Sequence, residues 1–325
     1  MKYSQFIKYS AAGLSALLIL AGCNAGDTSS ASASSVPAPS SSTPAASQQQ
    51  AMGGVLPSVN AENYPRIDGS TANLPLLAQM YSEICGVSLD EAETKISISG
   101  GTGAVWRHLI HGEGEVELLV VYEAPEEVKQ ELTDSGLELE IDPIGRDGLV
   151  FLANKKNTVD NLSIKQLQDI YTGKITDWSE VGGESGPIAA FQRNEESGSQ
   201  TLFRKLLMQG LTPMQAPTEL VPGFMGELID SVATYDGEGG SLGYSVYYYA
   251  DLMYGNPDLK LLSVDGVAPS HESIQDGSYP LINDFYVVLP SDTPQDHPAR
   301  LVRDWLLGED GKDLLKRSGY VAIDA

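Results

Sequence analysis

The segment of sequence that decides the fold is IAAFQRNEESGSQTLFRKLL, residues 188–207. It opens with the short apolar run Ile188–Phe191, which is typical of a buried strand. It closes with Gln200–Leu207, where apolar residues recur at helical spacing. The polar turn Arg193–Thr201 joins the two. A strand that passes through a small-residue turn into a helix is the repeating unit of α/β proteins.

Strands and helices alternate in the same way on both sides of this segment. Further strands are predicted at Lys95–Ser99, Val116–Tyr122, Leu137–Pro143, Leu149–Leu152, Leu259–Leu262 and Phe285–Leu289. Further helices are predicted at Leu74–Cys85, Ala104–Ile110, Glu126–Ser135, Ile164–Thr172, Gly223–Thr234 and Ala299–Lys316. Ser163 and Gln166 form a capping-box pattern at the start of one of them. The alternation predicts an α/β fold with largely parallel sheets.

The composition excludes several classes of protein. The chain has 325 residues, with 44 Asp and Glu against 20 Lys and Arg, and a formal net charge of −24. A surface this acidic does not attract nucleic acid, so no nucleic-acid partner is expected. Two Cys cannot staple a chain of this length, and two Cys with four His argue against a zinc module. The length indicates two domains.

Residues 1–22 are predicted to be a lipoprotein signal peptide. Lys2 and Lys8 precede the apolar run Ala11–Ala21, which is too short to span a membrane as a helix. The run ends in Leu20-Ala21-Gly22-Cys23, which resembles a bacterial lipobox. The resemblance implies that Cys23 is lipidated and becomes the new N-terminus. The alternative is an ordinary secretory signal followed by a chance cysteine.

Residues 23–58 are predicted to be the lipidated Cys and a disordered Ser/Ala/Pro linker. Asp27 is the one charged residue between positions 24 and 54, and so polar a stretch cannot bury enough surface to fold. We expect a tether that holds the protein at the extracellular face of the cell membrane. The lipid is then the strong attraction, because an acidic body is repelled by an anionic surface.

Three turns rich in small residues precede predicted helices. They are DGSTANLP at 68–75, SGGTGA at 99–104 and RNEESGSQT at 193–201. Each offers backbone N–H groups at a helix start together with hydroxyl groups, and the third adds the guanidinium of Arg193. Each turn alone is also explained as an ordinary helix cap. Together they indicate an anion-binding site.

Four motifs are similar to those of the phosphate-binding lipoproteins that serve phosphate ABC importers of the Gram-positive type. They are GRDGLVF at 145–151, LQDIYTGKITDW at 167–178, QRNEESGSQT at 192–201 and GSLGYSVYYY at 240–249. The resemblance covers the chain from about Tyr64 to its end. It implies a periplasmic-binding-protein-like clamshell of type II, with two α/β lobes and two hinge crossings. The implied first lobe is residues 59–145 plus 246–325 and the second is 146–245, with crossings near Ile144–Phe151 and Leu242–Tyr247.

The resemblance also implies which residues bind the ligand. It assigns the gripping arginine to Arg193, paired with Glu195, and a proton-accepting carboxylate to Glu123. Hydroxyl and amide donors are implied for the three turns. The complete implied set is Ser70, Thr71, Asn73, Leu74, Thr102, Glu123, Arg193, Ser197, Gly198 and Ser199. An acceptor at Glu123 would favour phosphate over sulfate, since phosphate still carries a proton near neutral pH and sulfate does not.

The resemblance therefore implies extracellular capture of inorganic phosphate and its delivery to ABC transporter permease subunits by a monomer. Tyr122 and the altered second turn, GGTG at 100–103, leave open another oxyanion or a small organic ligand, and a sensor role is a further alternative. An enzyme is not expected, because no nucleophile elbow or His–nucleophile arrangement is visible. No cofactor and no metal are expected, since His108 and His111 have no third ligand beside them. Trp178, Tyr171 and the tyrosines at 244–249 are expected to pack the core.

Overall fold

The computed structural model describes residues 54–237 and 240–323 of the chain. The predicted signal peptide, Cys23 and the linker up to residue 53 lie outside the described residues. The end of the predicted linker, residues 54–58, forms turns, and the Val55 N–H donates to the Glu83 carbonyl oxygen over 3.2 Å. Within the described ranges, no helix has the length and apolar character that crossing a membrane requires.

Helices and strands alternate along the chain, and the predicted α/β class is confirmed. The helices are α1 (Leu74–Cys85), α2 (Leu89–Lys95), α3 (Thr102–His111), α4 (Glu126–Ser135), α5 (Ile164–Tyr171), α6 (Gly198–Leu202), α7 (Met225–Thr234), α8 (His271–Gln275), α9 (Pro298–Leu307) and α10 (Glu309–Arg317). The strands are β1 (Ile67–Gly69), β2 (Leu118–Val121), β3 (Leu139–Asn154), β4 (Asn161–Leu162), β5 (Ala189–Ala190), β6 (Ser241–Val246), β7 (Leu259–Val264), β8 (Ile282–Pro290) and β9 (Val321–Ala322). Phe203–Met208 and Tyr248–Tyr254 are π-helical, and a 3₁₀ turn, Thr71–Asn73, leads into α1.

Local sequence explains where several helices begin and end. α1 has Pro75 in its first turn, where proline is tolerated, and it stops at Gly86, whose φ of +67° favours glycine. α5 begins with the predicted capping box, in which the Ser163 and Gln166 side chains bond each other's backbone N–H groups. The predicted helix Ala299–Lys316 is two helices, because the chain leaves helical geometry at Gly308.

The long strand β3 organises the sheet. Its first part, Leu139–Gly148, pairs with β8, and β8 continues the sheet to β2 and β1. Its second part pairs with β6 on one side, over Leu149–Ala153, and with β7 on the other, over Phe151–Asn154. All of these pairings with β3 are antiparallel, whereas β1–β2, β4–β7 and β5–β6 are parallel pairs. The sheet is therefore mixed, and the prediction of largely parallel sheets is wrong.

The pairing of β3 with β8 is irregular near the start of the predicted first crossing. The register with β8 shifts between Pro143 and Gly145, and a Cβ at Gly145 would lie 2.4 Å from the Phe285 ring. The lobe boundaries stay a prediction. β7 belongs to the predicted first lobe, yet it pairs with the part of β3 that the predicted second lobe includes.

The aromatic residues of the predicted core are buried, except Tyr247, which is half-buried and donates from its hydroxyl to Asp251 over 3.0 Å. Tyr171, Trp178 and Tyr244 are at most 1% exposed, and the Tyr244 ring stacks on Phe203 with the ring centres 4.5 Å apart. Tyr248 stacks on Tyr320 in the same manner. Core packing therefore accounts for these rings, as predicted.

One predicted strand is wrong. Lys95 ends helix α2, and residues 96–99 are extended chain that pairs with no strand. The short strand β1 was not predicted, since three residues are too few to show an alternating pattern.

Candidate anion-binding site

The three predicted turns meet around one small cavity of about 30 Å³. Its walls are formed by Ser70, Thr71, Ala72, Gly101, Thr102, Tyr122, Arg193, Ser197, Gly198, Ser199, Met225 and Val246. A cavity of this size suits a small inorganic ion. The lining includes seven of the ten predicted site residues.

The first two turns are held together by hydrogen bonds. β1 pairs with β2, and the Ser70 N–H donates to the Val120 carbonyl oxygen over 3.2 Å. The Ser70 and Thr102 hydroxyl oxygens are 2.9 Å apart, and the Tyr122 N–H donates to the Ser70 hydroxyl oxygen over 3.1 Å. Both residues are buried and line the cavity, and these bonds hold their hydroxyl groups in place.

The third turn approaches the second closely at Gly198. A Cβ on Gly198 would lie 2.5 Å from the Thr102 hydroxyl oxygen, so only glycine permits this contact. The Ser197 and Ser199 hydroxyl oxygens, both buried, are 3.0 Å apart. The Gly103 N–H donates to the Glu196 carbonyl oxygen over 3.0 Å, and Arg107 pairs with the Glu196 carboxylate. These contacts close the cavity from both sides.

Arg193 supplies positive charge to the cavity wall. Its Nε donates to the Pro222 carbonyl oxygen (3.2 Å) and its Nη2 to the Gly223 carbonyl oxygen (3.1 Å). Its Nη1 is buried and has no hydrogen-bond partner in the described part of the chain. Burial lowers the pKa of Arg193, but a guanidinium stays charged at neutral pH. The cavity therefore holds a buried cation with unused hydrogen-bonding capacity.

The predicted pairing of Arg193 with Glu195 is wrong. The Glu195 carboxylate accepts from Arg204 at Nε (2.7 Å) and Nη2 (2.5 Å), and also from Gln200. The bidentate bond to Arg204 holds the pKa of Glu195 below its ordinary value. Arg204 follows α6 in the π-helical segment, so the sequence spacing from Arg193 did not show that it reaches Glu195.

Two predicted residues of the first turn lie behind the cavity and do not line it. Asn73 is fully buried at the start of α1, and both polar atoms of its amide have no partner among the residues described. Leu74 is the first residue of α1. Ser70, Thr71 and Ala72 are the residues of this turn that line the cavity.

Glu123 is also not among the residues that line the cavity. Its carboxylate accepts from Lys129 over 2.7 Å and pairs with Lys205. Burial raises the pKa of Glu123, but the two ammonium groups outweigh it and leave the pKa below its ordinary value. Both carboxylate oxygens are bonded by lysines and Glu123 is not among the residues that line the cavity, so this arrangement gives no support to the predicted role.

A different buried acid, Asp147, is hydrogen-bonded to Tyr122, which lines the cavity. The Tyr122 hydroxyl donates to Asp147 Oδ2 over 2.6 Å, and Oδ1 accepts from the N–H groups of Gly148 (2.7 Å) and Tyr248 (3.1 Å). Burial raises the pKa of Asp147 to about 6, against the opposing effect of these bonds. Sequence reasoning missed Asp147 as part of the site. Its signal was the one acid in the buried second half of β3, directly before Gly148.

The histidine pair has protein partners of its own. The His108 ring bonds the Ser99 hydroxyl over 2.8 Å, and His111 lies 3.4 Å from the Glu131 carboxylate. No group of three or more His, Cys, Asp or Glu suited to a metal ion occurs among the described residues.

Known proteins share this architecture. A sequence profile described as PBP superfamily domain matches residues 38–307. The phosphate-binding protein PstS of Staphylococcus saprophyticus is 25% identical over 278 residues, which are 83% of this chain and 84% of that protein. The PstS of Bacillus subtilis is 27% identical over 179 residues, and the match spans only 55% of it.

Solved structures agree with the profile on the fold. A candidate phosphate ABC transporter substrate-binding protein from Clostridium perfringens, determined with bound phosphate, has a TM-score of 0.63 at 23% identity, over 81% of this chain and 100% of that one. An ABC-type phosphate transport receptor from Vibrio cholerae has a TM-score of 0.57 at 24% identity, over 78% and 98% of the two chains. Because the profile spans well over half of its length, the chain belongs to the PBP superfamily.

Proposed function

We propose that this protein is an extracellular, membrane-anchored solute-binding lipoprotein that captures inorganic phosphate and delivers it to an ABC importer. The relatives from S. saprophyticus and B. subtilis are named phosphate-binding proteins, and the V. cholerae neighbour is named a phosphate transport receptor. No catalytic step is part of this function, in keeping with relatives that are named for binding and transport.

The observation that carries the proposal is the guanidinium of Arg193. A buried cation without a carboxylate partner is unfavourable unless a ligand supplies the negative charge. Four hydroxyl groups, on Ser70, Thr102, Ser197 and Ser199, are held in pairs beside it. The starts of the 3₁₀ turn Thr71–Asn73 and of helices α3 and α6 lie at the same cavity and add backbone dipoles. This combination suits a tetrahedral oxyanion, which needs hydrogen bonds on every oxygen when buried.

A second candidate ligand is another tetrahedral oxyanion, such as sulfate. Among the residues that line the cavity in the described part of the chain, none is a carboxylate. No carboxylate next to the ligand therefore repels a fully ionised anion such as sulfate. Whether phosphate or sulfate binds more tightly distinguishes the two candidates.

Isothermal titration calorimetry of the full chain with phosphate and with sulfate tests the proposal. We expect phosphate to bind, and replacement of Arg193 by Met to remove the binding heat. Arg66 is a suitable control because its ion pair with Glu115 is exposed, so Arg66→Met should leave binding unchanged. Absence of phosphate binding to the unaltered chain would refute the assignment.

The anchor has its own test. Cys23 is proposed to carry the lipid that holds the protein on the extracellular face of the cell membrane. Cells grown with labelled palmitate should label the unaltered chain, and Cys23→Ser should lose both the label and retention on the cell. If the protein delivers phosphate to permease subunits, Cys23→Ser should reduce phosphate uptake by the same cells. The variant should lose less of its phosphate binding than of this uptake. Equal labelling of the two chains would contradict the anchor.

A further inference from the structure

The wall of the cavity contains one tyrosine whose hydroxyl hydrogen is committed to a buried acid. Tyr122 lines the cavity and donates to Asp147 Oδ2 over 2.6 Å. Both residues are 2% exposed, so water does not compete for this bond. A tyrosine hydroxyl has one hydrogen and two acceptor lone pairs. With the hydrogen given to Asp147, the Tyr122 oxygen can only accept further hydrogen bonds.

The position of the Tyr122 side chain follows from bonds at both of its ends. Its backbone N–H donates to the Ser70 hydroxyl, and its ring packs against Phe285 with the ring centres 5.7 Å apart. At the far end, Asp147 is also bonded by the Tyr248 N–H, two residues after Val246. Ser70 and Val246 both line the cavity. The tyrosine lines the cavity and is held at its backbone by Ser70 and at its hydroxyl by Asp147.

The orientation of the Asp147 carboxylate is fixed in turn. Oδ1 accepts from two backbone N–H groups, those of Gly148 and Tyr248, so Oδ2 is left for the tyrosine. The carboxylate cannot turn away without leaving two buried donors unsatisfied. Asp147 thus holds the hydrogen of Tyr122 away from the cavity.

We propose that Tyr122, oriented by Asp147, accepts the hydrogen bond of a protonated oxyanion and thereby selects phosphate over sulfate. This inference rests on the proposed function and names the residue behind its specificity. The P–OH group of bound phosphate donates to Tyr122 Oη, which donates to Asp147. No bond breaks and the proton stays on the phosphate. Sulfate has no proton at neutral pH, so its oxygen would face the tyrosine oxygen unpaired. Tyr122 is the specificity residue and Asp147 is a positioning residue.

The decisive experiment compares inorganic phosphate, arsenate and sulfate by calorimetry on the full chain at pH 7.5. Arsenate carries a proton as phosphate does, so it separates protonation from phosphate identity. Tyr122→Phe should weaken phosphate and arsenate by about 10-fold to 100-fold, the loss expected for a hydrogen bond to a charged group. Its affinity for sulfate should stay the same or rise.

Tyr279→Phe is the matched control. The Tyr279 hydroxyl is buried and donates to the Leu149 carbonyl oxygen over 2.8 Å, but Tyr279 does not line the cavity. It should leave the phosphate-to-sulfate ratio unchanged. If Tyr122→Phe weakens all three anions equally, or leaves the ratio unchanged, the tyrosine is structural and the inference is wrong.

Asp147→Asn tests the positioning role separately. The two backbone donors should keep the amide oxygen at the Oδ1 place, so the amide N–H₂ group faces Tyr122 and donates to it. The tyrosine hydrogen then turns towards the cavity, and the phosphate-to-sulfate ratio should fall at least as far as in Tyr122→Phe. An unchanged ratio would overturn the role of Asp147. If the unaltered chain binds none of the three anions, the proposed function itself fails and this inference with it.

Discussion

Arg193 and Arg300 are equally buried, at 7% and 4% exposed, but their surroundings differ. Arg300, in α9, donates through Nη1 to the Glu140 carboxylate over 2.6 Å, and through Nε and Nη2 to the carbonyl oxygens of Ser291 and Thr293. Arg193 has two carbonyl partners, no ion pair within the described ranges and a free Nη1. A buried arginine with hydrogen bonds and an ion pair within the protein stabilises the fold. A buried arginine beside a cavity with an N–H group left without a partner is suited to an anionic ligand.

Replacing Arg193 by Met should give the largest effect. The affinity for phosphate should fall at least about 100-fold, since the buried positive charge and the charge-assisted contact from Nη1 are lost. The unfolding free energy of the ligand-free protein should change little, because removal of a buried charge without an anionic partner offsets the two lost bonds to the Pro222 and Gly223 carbonyl oxygens. Calorimetry and urea unfolding measure the two. If Arg193→Met loses stability and keeps its affinity for phosphate, Arg193 stabilises the fold and does not bind the ligand.

Replacing Arg300 by Met should do the opposite. The Ser291 and Thr293 carbonyls lose their donors and Glu140 loses one of its partners, so we expect a loss of about 3 kcal/mol in unfolding free energy. The loss lies at the low end for a broken buried pair because Glu140 is partly exposed and Arg303 also contacts it. Phosphate affinity of the folded variant should not change, and a selective loss of binding would contradict the structural role of Arg300.

Asp147 extends the comparison to a buried acid that, like Arg193, is held by hydrogen bonds alone in the described structure. Its pKa is raised from 3.8 to about 6 on folding, so between these values the folded protein binds the proton more readily than the unfolded chain. Its contribution to stability is therefore most favourable below about pH 4 and is lost as the pH rises through about 6. The full effect is about 2–3 kcal/mol.

Urea unfolding of the unaltered chain and of Asp147→Asn between pH 4 and pH 8 measures this contribution. The difference between the two curves isolates Asp147 from acids such as Glu123 and Glu195, whose pKa values are lowered and which act with the opposite sign. The variant should gain stability relative to the unaltered chain as the pH rises. A difference that does not depend on pH would show that Asp147 is not the titrating group.

Much of the fold was predictable because its signals are local. α1 and α4 match their predicted bounds, since proline or acidic residues start them and glycine in the left-handed region ends them. β3 was predicted as two strands because Pro143 and Gly145 interrupt the pattern, although β8 pairs with it across both. Pairing with a strand more than 130 residues away is not visible in local sequence.

In the site, too, features with a local sequence signal were predicted and contacts between distant residues were not. Hydroxyl residues and glycines at helix starts, such as Thr102 and Ser197, were predicted because a helix start presents free N–H groups wherever it lies. The partners of charged side chains were not predicted. Glu195 meets Arg204 and Glu123 meets Lys205 through the packing of α6 and the π-helical segment after it, and sequence spacing carries no information on such contacts.

Gly198 gives the smallest effect and tests whether the cavity beside Arg193 depends on close approach. Alanine at Gly198 would place its Cβ 2.5 Å from the Thr102 hydroxyl oxygen, which is on a short side chain and already bonded to Ser70. The third turn must then move from the second, at a cost of about 1–2 kcal/mol and about tenfold in phosphate affinity. Gly223→Ala is the control, because Gly223 also lies beside Arg193 but its Cβ would meet no atom closer than 3.6 Å. Equal losses for both variants would mean that the approach of Gly198 to Thr102 does not shape the anion site.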